Sequence, residues 1–180
     1  MTTVLAERAL TSEETANLRT VDGLVPLWNR HDVSAILEHY DEEIRWRNVA
    51  TGETYAGKAA VGAFLTELFA AVPDLAMEIT RRVPHGRFVA EEYTLRGTHR
   101  GDLLGIPPTG RAVEVPAVSF VELRDARMLE DHFYFDVSTV LQQVGLFPPL
   151  SVARTPVGHR LMQLLVVARS PRRAWRLRRS

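Results

Sequence analysis

Val61-Gly-Ala-Phe-Leu-Thr-Glu-Leu-Phe-Ala-Ala-Val-Pro-Asp-Leu-Ala-Met-Glu-Ile79 is where this chain changes its period. Val61, Phe64, Leu65, Leu68, Phe69 and Val72 fall at i, i+3, i+4, i+7, i+8 and i+11, which places them on one stripe of an α-helix. Pro73-Asp74 stops that helix, because proline has no N–H for the next turn. Leu75, Met77 and Ile79 then alternate with polar neighbours, the period of a strand with one covered face.

Working back from there, the chain reads as helical. Thr11-Ser-Glu-Glu14 has the spacing of a capping box, and Leu18, Val21, Leu24, Val25 and Trp28 follow at helical intervals. Pro26 should kink or split this helix. Asp32 can cap a second short helix carrying Ile36, Leu37 and Tyr40, and Ile44 with Trp46 suggests a short strand. Thr51-Gly52 and Gly57-Lys58 mark turns before the main helix.

Working forward, the chain reads as strands. Pro84-His85-Gly86 is a turn, 88–99 and 112–123 are long strands joined through Gly105–Gly110, and 128–136 is the last strand after a turn at 124–127. Residues 137–144 form a short closing helix ended by Gly145, with Pro148-Pro149 at the domain edge. Helices followed by a run of antiparallel strands predict an α+β domain over 1–150. Its curved sheet should wrap around the N-terminal helices as a cone with an internal apolar pocket.

The composition narrows the function classes. A chain of 180 residues holds one domain with a sizeable core, and 46% apolar with 24% charged residues is ordinary for a globular protein. The absence of cysteine excludes a disulfide scaffold, thiol catalysis and cysteine-ligated zinc, and suits a reducing, cytoplasmic setting. Nothing at the N-terminus reads as a signal peptide, and no apolar run is long enough for a membrane span.

The net charge of zero hides a division. Residues 1–150 carry 22 acidic and 14 basic side chains, net −8, while 151–180 carry eight Arg and no acid, net +8. An acidic body argues against nucleic-acid binding. The extension reads as a short helix with an apolar stripe at Leu161, Leu164, Leu165 and Ala168, followed by a flexible Arg-rich end.

Gly97-Thr-His-Arg-Gly101 followed by Gly105-Ile-Pro-Pro-Thr-Gly-Arg111 resembles the hairpin signature of the SnoaL-like polyketide cyclases. Trp28-Asn-Arg-His-Asp32, Tyr55-Ala-Gly57, Pro73-Asp74, Tyr134-Phe-Asp136 and Gln142-Gln-Val-Gly145 fall in the family's order, so the likeness spans roughly 15–147. The resemblance implies a cystatin-like cone shared with ketosteroid isomerases and limonene epoxide hydrolases. It also implies cofactor-free ring closure of a polyketide by intramolecular aldol condensation. The family's acid/base Asp maps onto Asp136. Ala126 stands for the usual turn Gly, a change expected to matter little, and His132 stands where a bulky aromatic is common.

The residues themselves support several roles. Period two puts Glu130, His132, Tyr134 and Asp136 on one face of the last strand. A carboxylate among aromatics should have a raised pKa, as suits an acid/base group; the plain alternative is that Asp136 caps the helix at 137–144. His132 could polarise a substrate carbonyl or sit satisfied in the core. His99 could line the pocket mouth or hold the hairpin.

Trp28, Tyr40, Trp46, Tyr55, Phe120 and Tyr134 are candidates to line a pocket for a flat apolar substrate, or else plain core. His-x-x-x-His metal spacing, a nucleophile elbow and a dinucleotide loop are all missing, so no metal or cofactor is expected. The chemistry predicted is acid/base cyclisation of a natural-product intermediate. The alternatives are water addition or hydroxylation in the same pocket, or a non-enzymatic binding module. A homodimer or larger homo-oligomer is expected.

Overall fold

The computed structural model describes residues 9–148, 150–153, 155–160 and 163. The predicted apolar stripe at 161–168 and the Arg-rich end lie outside the described residues, apart from that single position.

Helix α1 (Ser12–Asn29) starts at the predicted capping box: Thr11 Oγ1 accepts from the Glu14 amide at 3.1 Å, and Glu14 Oε2 accepts from the Thr11 amide at 2.9 Å. The buried Glu14 carboxylate also accepts from the Gly86 amide at 2.9 Å, tying the helix start to a turn of the sheet. Pro26 lies inside one continuous helix rather than splitting it. The helix ends three residues later, so the missing N–H removes only one bond of the last turn.

Asp32 caps α2 (Val33–Glu38) as expected, accepting from the Ala35 amide at 3.1 Å. Tyr40, expected on that helix, instead opens β1 (Tyr40–Asn48), which pairs with β2 (Glu53–Ala56). The main helix, α3 (Gly57–Ala71), follows. Asp74 binds the Thr98 amide and hydroxyl at 2.7 Å each, joining the end of α3 to the sheet.

Strands β3 (Ala76–His85), β4 (Phe88–Thr98), β5 (Ala112–Arg124) and β6 (Arg127–Phe135) form a meander, closed by α4 (Val137–Gln143) and the one-turn α5 (Leu150–Ala153). The six strands lie in the order β2-β1-β6-β5-β4-β3. The sheet is mixed rather than wholly antiparallel, because β1 and β6 run parallel. After α3, β3 continues in the direction of β2, and three hairpin reversals bring β6 round to the direction of β1.

Register shifts between Ile79 and Arg81 and between Glu122 and Leu123 break the ladders. Such bulges bend a sheet and increase its twist, giving an open cone. Its concave face buries Ile44, Trp46, Val89, Tyr93, Val121 and Phe133 against Val21, Leu24, Ile36, Val61 and Leu65 from the helices.

The turn between β5 and β6 departs from expectation. Asp125 and Ala126 both have positive φ, 51° and 55°, as a two-residue hairpin of this hand demands. Alanine pays a steric penalty there that glycine escapes, so the missing turn Gly is not neutral. Ala126→Gly should stabilise the chain by about 0.5–1 kcal/mol, read as a higher urea midpoint with an unchanged slope.

Candidate functional site

Between the concave sheet face and the helices lies an apolar cavity with an open mouth. Strand period decides its walls: Trp46 and Asn48 of β1, Phe133 and Phe135 of β6, Val113 and Val115 of β5 all point inward. Trp28 of α1 and Phe64, Leu68 and Val72 of the α3 side complete them, with Leu103, Leu104 and Ile106 across the top. Trp46 and Phe133 stack at 5.4 Å and 19°, so one wall is built from a packed pair of aromatic rings.

Among the described residues, Asn48 and His99 are the lining side chains that bring polar groups other than an indole to this cavity. His99 is fixed by its backbone, its amide donating to the Arg111 carbonyl at 2.9 Å and its carbonyl accepting from Gly110 at 2.8 Å. Its Nδ1 lies 3.1 Å from Thr109 Oγ1, while Nε2 is buried with no hydrogen-bond partner among the described residues. When Nδ1 donates to Thr109, Nε2 carries a free lone pair. Leaving such an atom unpaired costs about 1–3 kcal/mol, which a ligand hydrogen bond would offset. Asn48 Oδ1 accepts from the Thr51 amide at 3.2 Å, which fixes this side chain at the cavity wall.

The loop after His99 is clamped to the end of α3, with the Arg100 and Gly101 amides donating to the Ala71 carbonyl at 2.8 and 2.9 Å. A Cβ at Gly101 would stand 2.8 Å from Ala71 Cα, closer than backbone can tolerate. Gly101→Ala should therefore cost about 1–3 kcal/mol and displace the loop over the cavity, visible as a lower thermal midpoint.

Behind the aromatic wall lies a buried polar cluster that the sequence reading missed. Asp131 alternates with Phe133 and Phe135 on the inward face of β6, and its Oδ2 accepts from the Trp46 indole at 2.7 Å. Its Oδ1 is buried without a hydrogen-bond partner among the described residues. Burial raises its pKa to about 7, with the nearby Glu91 carboxylate adding to the rise and Ser119 and Trp46 opposing it. Ser119 Oγ in turn lies 2.9 Å from the Tyr93 hydroxyl. A lone carboxylate in phase with two phenylalanines was the available signal.

Of the residues singled out from sequence, Trp28, Trp46 and His99 line the cavity, His99 holding the hairpin as well. Tyr40 is fully buried elsewhere, its hydroxyl pKa pushed up by burial first and by Asp131 second. Tyr55 packs on Trp46 and Phe64 behind the wall.

Four others need correction. Period two groups His132, Tyr134 and Asp136 as expected, but on the outer side: Phe133 and Phe135 take the inward positions. Phe120, the register partner of His132, is 56% exposed and meets Tyr134 edge-on at 6.0 Å, also on that side. His132 Nε2 faces Glu130 at 3.3 Å.

Asp136 is exposed and caps α4, accepting from the Ser138 amide at 2.8 Å and from the Ser138 and Thr139 hydroxyls at 2.6 and 2.7 Å. These bonds hold its pKa down at about 2, the reverse of the expected rise.

The sequence profile of SnoaL-like polyketide cyclases matches residues 19–144. No curated protein matches the chain. Among solved structures, a candidate SnoaL-like polyketide cyclase from Jannaschia sp. CCS1 is 24% identical, covers 79% of this chain and 100% of its own, and superposes with a TM-score of 0.70. AclR, a candidate hydroxylase from Streptomyces galilaeus, is 24% identical over 75% of this chain and 99% of its own, at TM-score 0.66. IdmH, a candidate polyketide cyclase from Streptomyces antibioticus, is 26% identical over 72% and 98%, at 0.63. With the cone, the cavity and a profile match over most of its length, the chain belongs to the SnoaL-like polyketide cyclase family.

Proposed function

We propose that this chain closes a ring in a flat, largely apolar poly-β-carbonyl compound held in the cavity, with His99 moving the proton. The observation that carries this reading is His99 Nε2, a buried imidazole nitrogen without a hydrogen-bond partner among the described residues, on a side chain that together with Asn48 lines an otherwise apolar cavity.

His99 Nε2 takes a proton from a carbon flanked by two carbonyls, giving an imidazolium and an enolate. The Asn48 N–H groups donate to the enolate oxygen, where the negative charge develops. The enolate carbon attacks a second carbonyl carbon of the same molecule, and the new alkoxide takes the proton back from the imidazolium. The aromatic wall of Trp46 and Phe133 holds the substrate in the folded shape that makes this attack intramolecular.

The test is to incubate the full chain with a panel of aromatic poly-β-carbonyl compounds and follow products by mass. Ring closure is expected as a mass-neutral isomer, or as loss of one water. Gain of water or of one oxygen would overturn it in favour of hydrolysis or hydroxylation, and saturable binding without turnover would make the chain a carrier. Two copies pairing through the exposed Phe120 and Tyr134 face would fit the homo-oligomer expected from sequence.

A further inference from the structure

Trp46 is both the wall of the cavity and the partner of a buried acid. Its ring is packed on three sides, by Phe64 at 4.7 Å, Phe133 at 5.4 Å and Tyr55 at 5.9 Å. These contacts are apolar and non-directional. The indole N–H bond to Asp131 Oδ2 is the directional contact, and at 2.7 Å it is short enough for a charge-assisted bond.

Among the described residues no cation is paired with Asp131. The groups around it are Trp46 and Tyr40 of β1, Ser119 of β5, and Tyr93 and Glu91 of β4. Glu91 is already engaged by Arg82 of β3, which also binds Asp22 of α1. The carboxylate therefore depends on the indole N–H and the nearby Ser119 hydroxyl, with one oxygen unpaired.

We propose that Asp131 is a positioning residue: by accepting the Trp46 indole N–H it fixes the aromatic wall of the cavity, and its charge state sets how firmly that wall is held. This rests on the cavity being the ligand site. When Asp131 is ionised the bond is charge-assisted and the wall is rigid; protonation roughly halves the strength of the bond and frees Trp46 to shift. The pKa near 7 places this change in the physiological range. Ligand affinity then falls on acidification, because a looser wall must be ordered on binding.

The test uses the full chain, the neutral naphthyl ketone dye prodan as cavity probe, and the emission of Trp46 taken as the difference between wild type and Trp46→Phe. Without dye, Trp46 emission should titrate with a midpoint near pH 7 in wild type, keep that midpoint in His99→Gln, and be flat in Asp131→Asn. Prodan affinity should drop three- to tenfold from pH 8 to pH 6 in wild type and be independent of pH in Asp131→Asn and in Trp46→Phe. Asp131→Asn, which keeps a carbonyl acceptor, should bind more tightly than Asp131→Leu.

Emission that still titrates in Asp131→Asn, or a midpoint that vanishes with His99, overturns the proposal. So does equal binding by the Asn and Leu chains. If Asp131→Asn does not fold, a pH-dependent affinity surviving in Trp46→Phe overturns it equally. Failure of prodan to bind any chain counts against the cavity as ligand site, while the dye-free titration still decides the Asp131–Trp46 coupling.

Discussion

A His99→Gln chain is expected to fold, keep its cavity and cyclise a poly-β-carbonyl substrate about 10²–10⁴-fold more slowly than wild type. Glutamine fills similar space and its amide can still meet Thr109, so the hairpin survives. What it lacks is a basic nitrogen where Nε2 now sits unpartnered against the cavity. The rate loss should appear in kcat more than in KM, because proton transfer belongs to the transition state.

Asp136→Asn is the paired control and should stay within a few-fold of wild-type turnover. The Asp136 carboxylate is fully engaged at the α4 cap and, held at about 2, is a poor base at neutral pH. If instead Asp136→Asn abolished turnover while His99→Gln kept it, the chemistry would lie at the junction of β6 and α4, and the role given to His99 would be lost.

The second large effect concerns stability rather than rate. Asp131 has a folded pKa of about 7 against an ordinary 3.8, so between those values the native chain holds a proton that the unfolded chain releases. Its contribution is greatest below the unfolded value and is lost as pH rises through about 7. From pH 5 to pH 8 the wild type should lose on the order of 2 kcal/mol, measured from urea midpoints across that range.

Glu91, also raised by burial, acts in the same direction. The lowered carboxylates Asp41, Asp74 and Asp136 act in the opposite direction, but their contributions change only below the ordinary carboxylate range. The window from 5 to 8 is therefore clear of them. Asp131→Asn keeps an acceptor for Trp46 and has no charge to bury, so it should flatten this slope and be more stable than wild type at pH 8. A slope unchanged by the substitution would mean that Asp131 is not the buried group responsible.

The outer placement of Asp136 and the inner placement of Asp131 show where sequence reading stopped. Alternation along Met128–Asp136 gave two sets of residues correctly, but a strand pattern does not say which set faces inward. The acid/base role expected of Asp136 came with a resemblance to the family, and its aromatic neighbour Tyr134 made the outer set look like a pocket. Phe133 and Phe135 against Glu130 and His132 was the better guide, since the more apolar set seeks the covered face.

By itself the sequence determined the local elements: the capping box at Thr11, the Asp32 cap, the α3 stripe and the strands that follow Pro73 are all products of short-range spacing and hydrogen bonding. It also carried the family, through ordered turn motifs such as Gly97–Gly101 that reflect close backbone approaches. Only the tertiary structure decided which strand face is concave and that β6 lies parallel beside β1, since both follow from contacts between residues far apart in the chain. That pairing places Trp46 beside Asp131, 85 positions away, and makes one buried carboxylate the neighbour of the cavity wall.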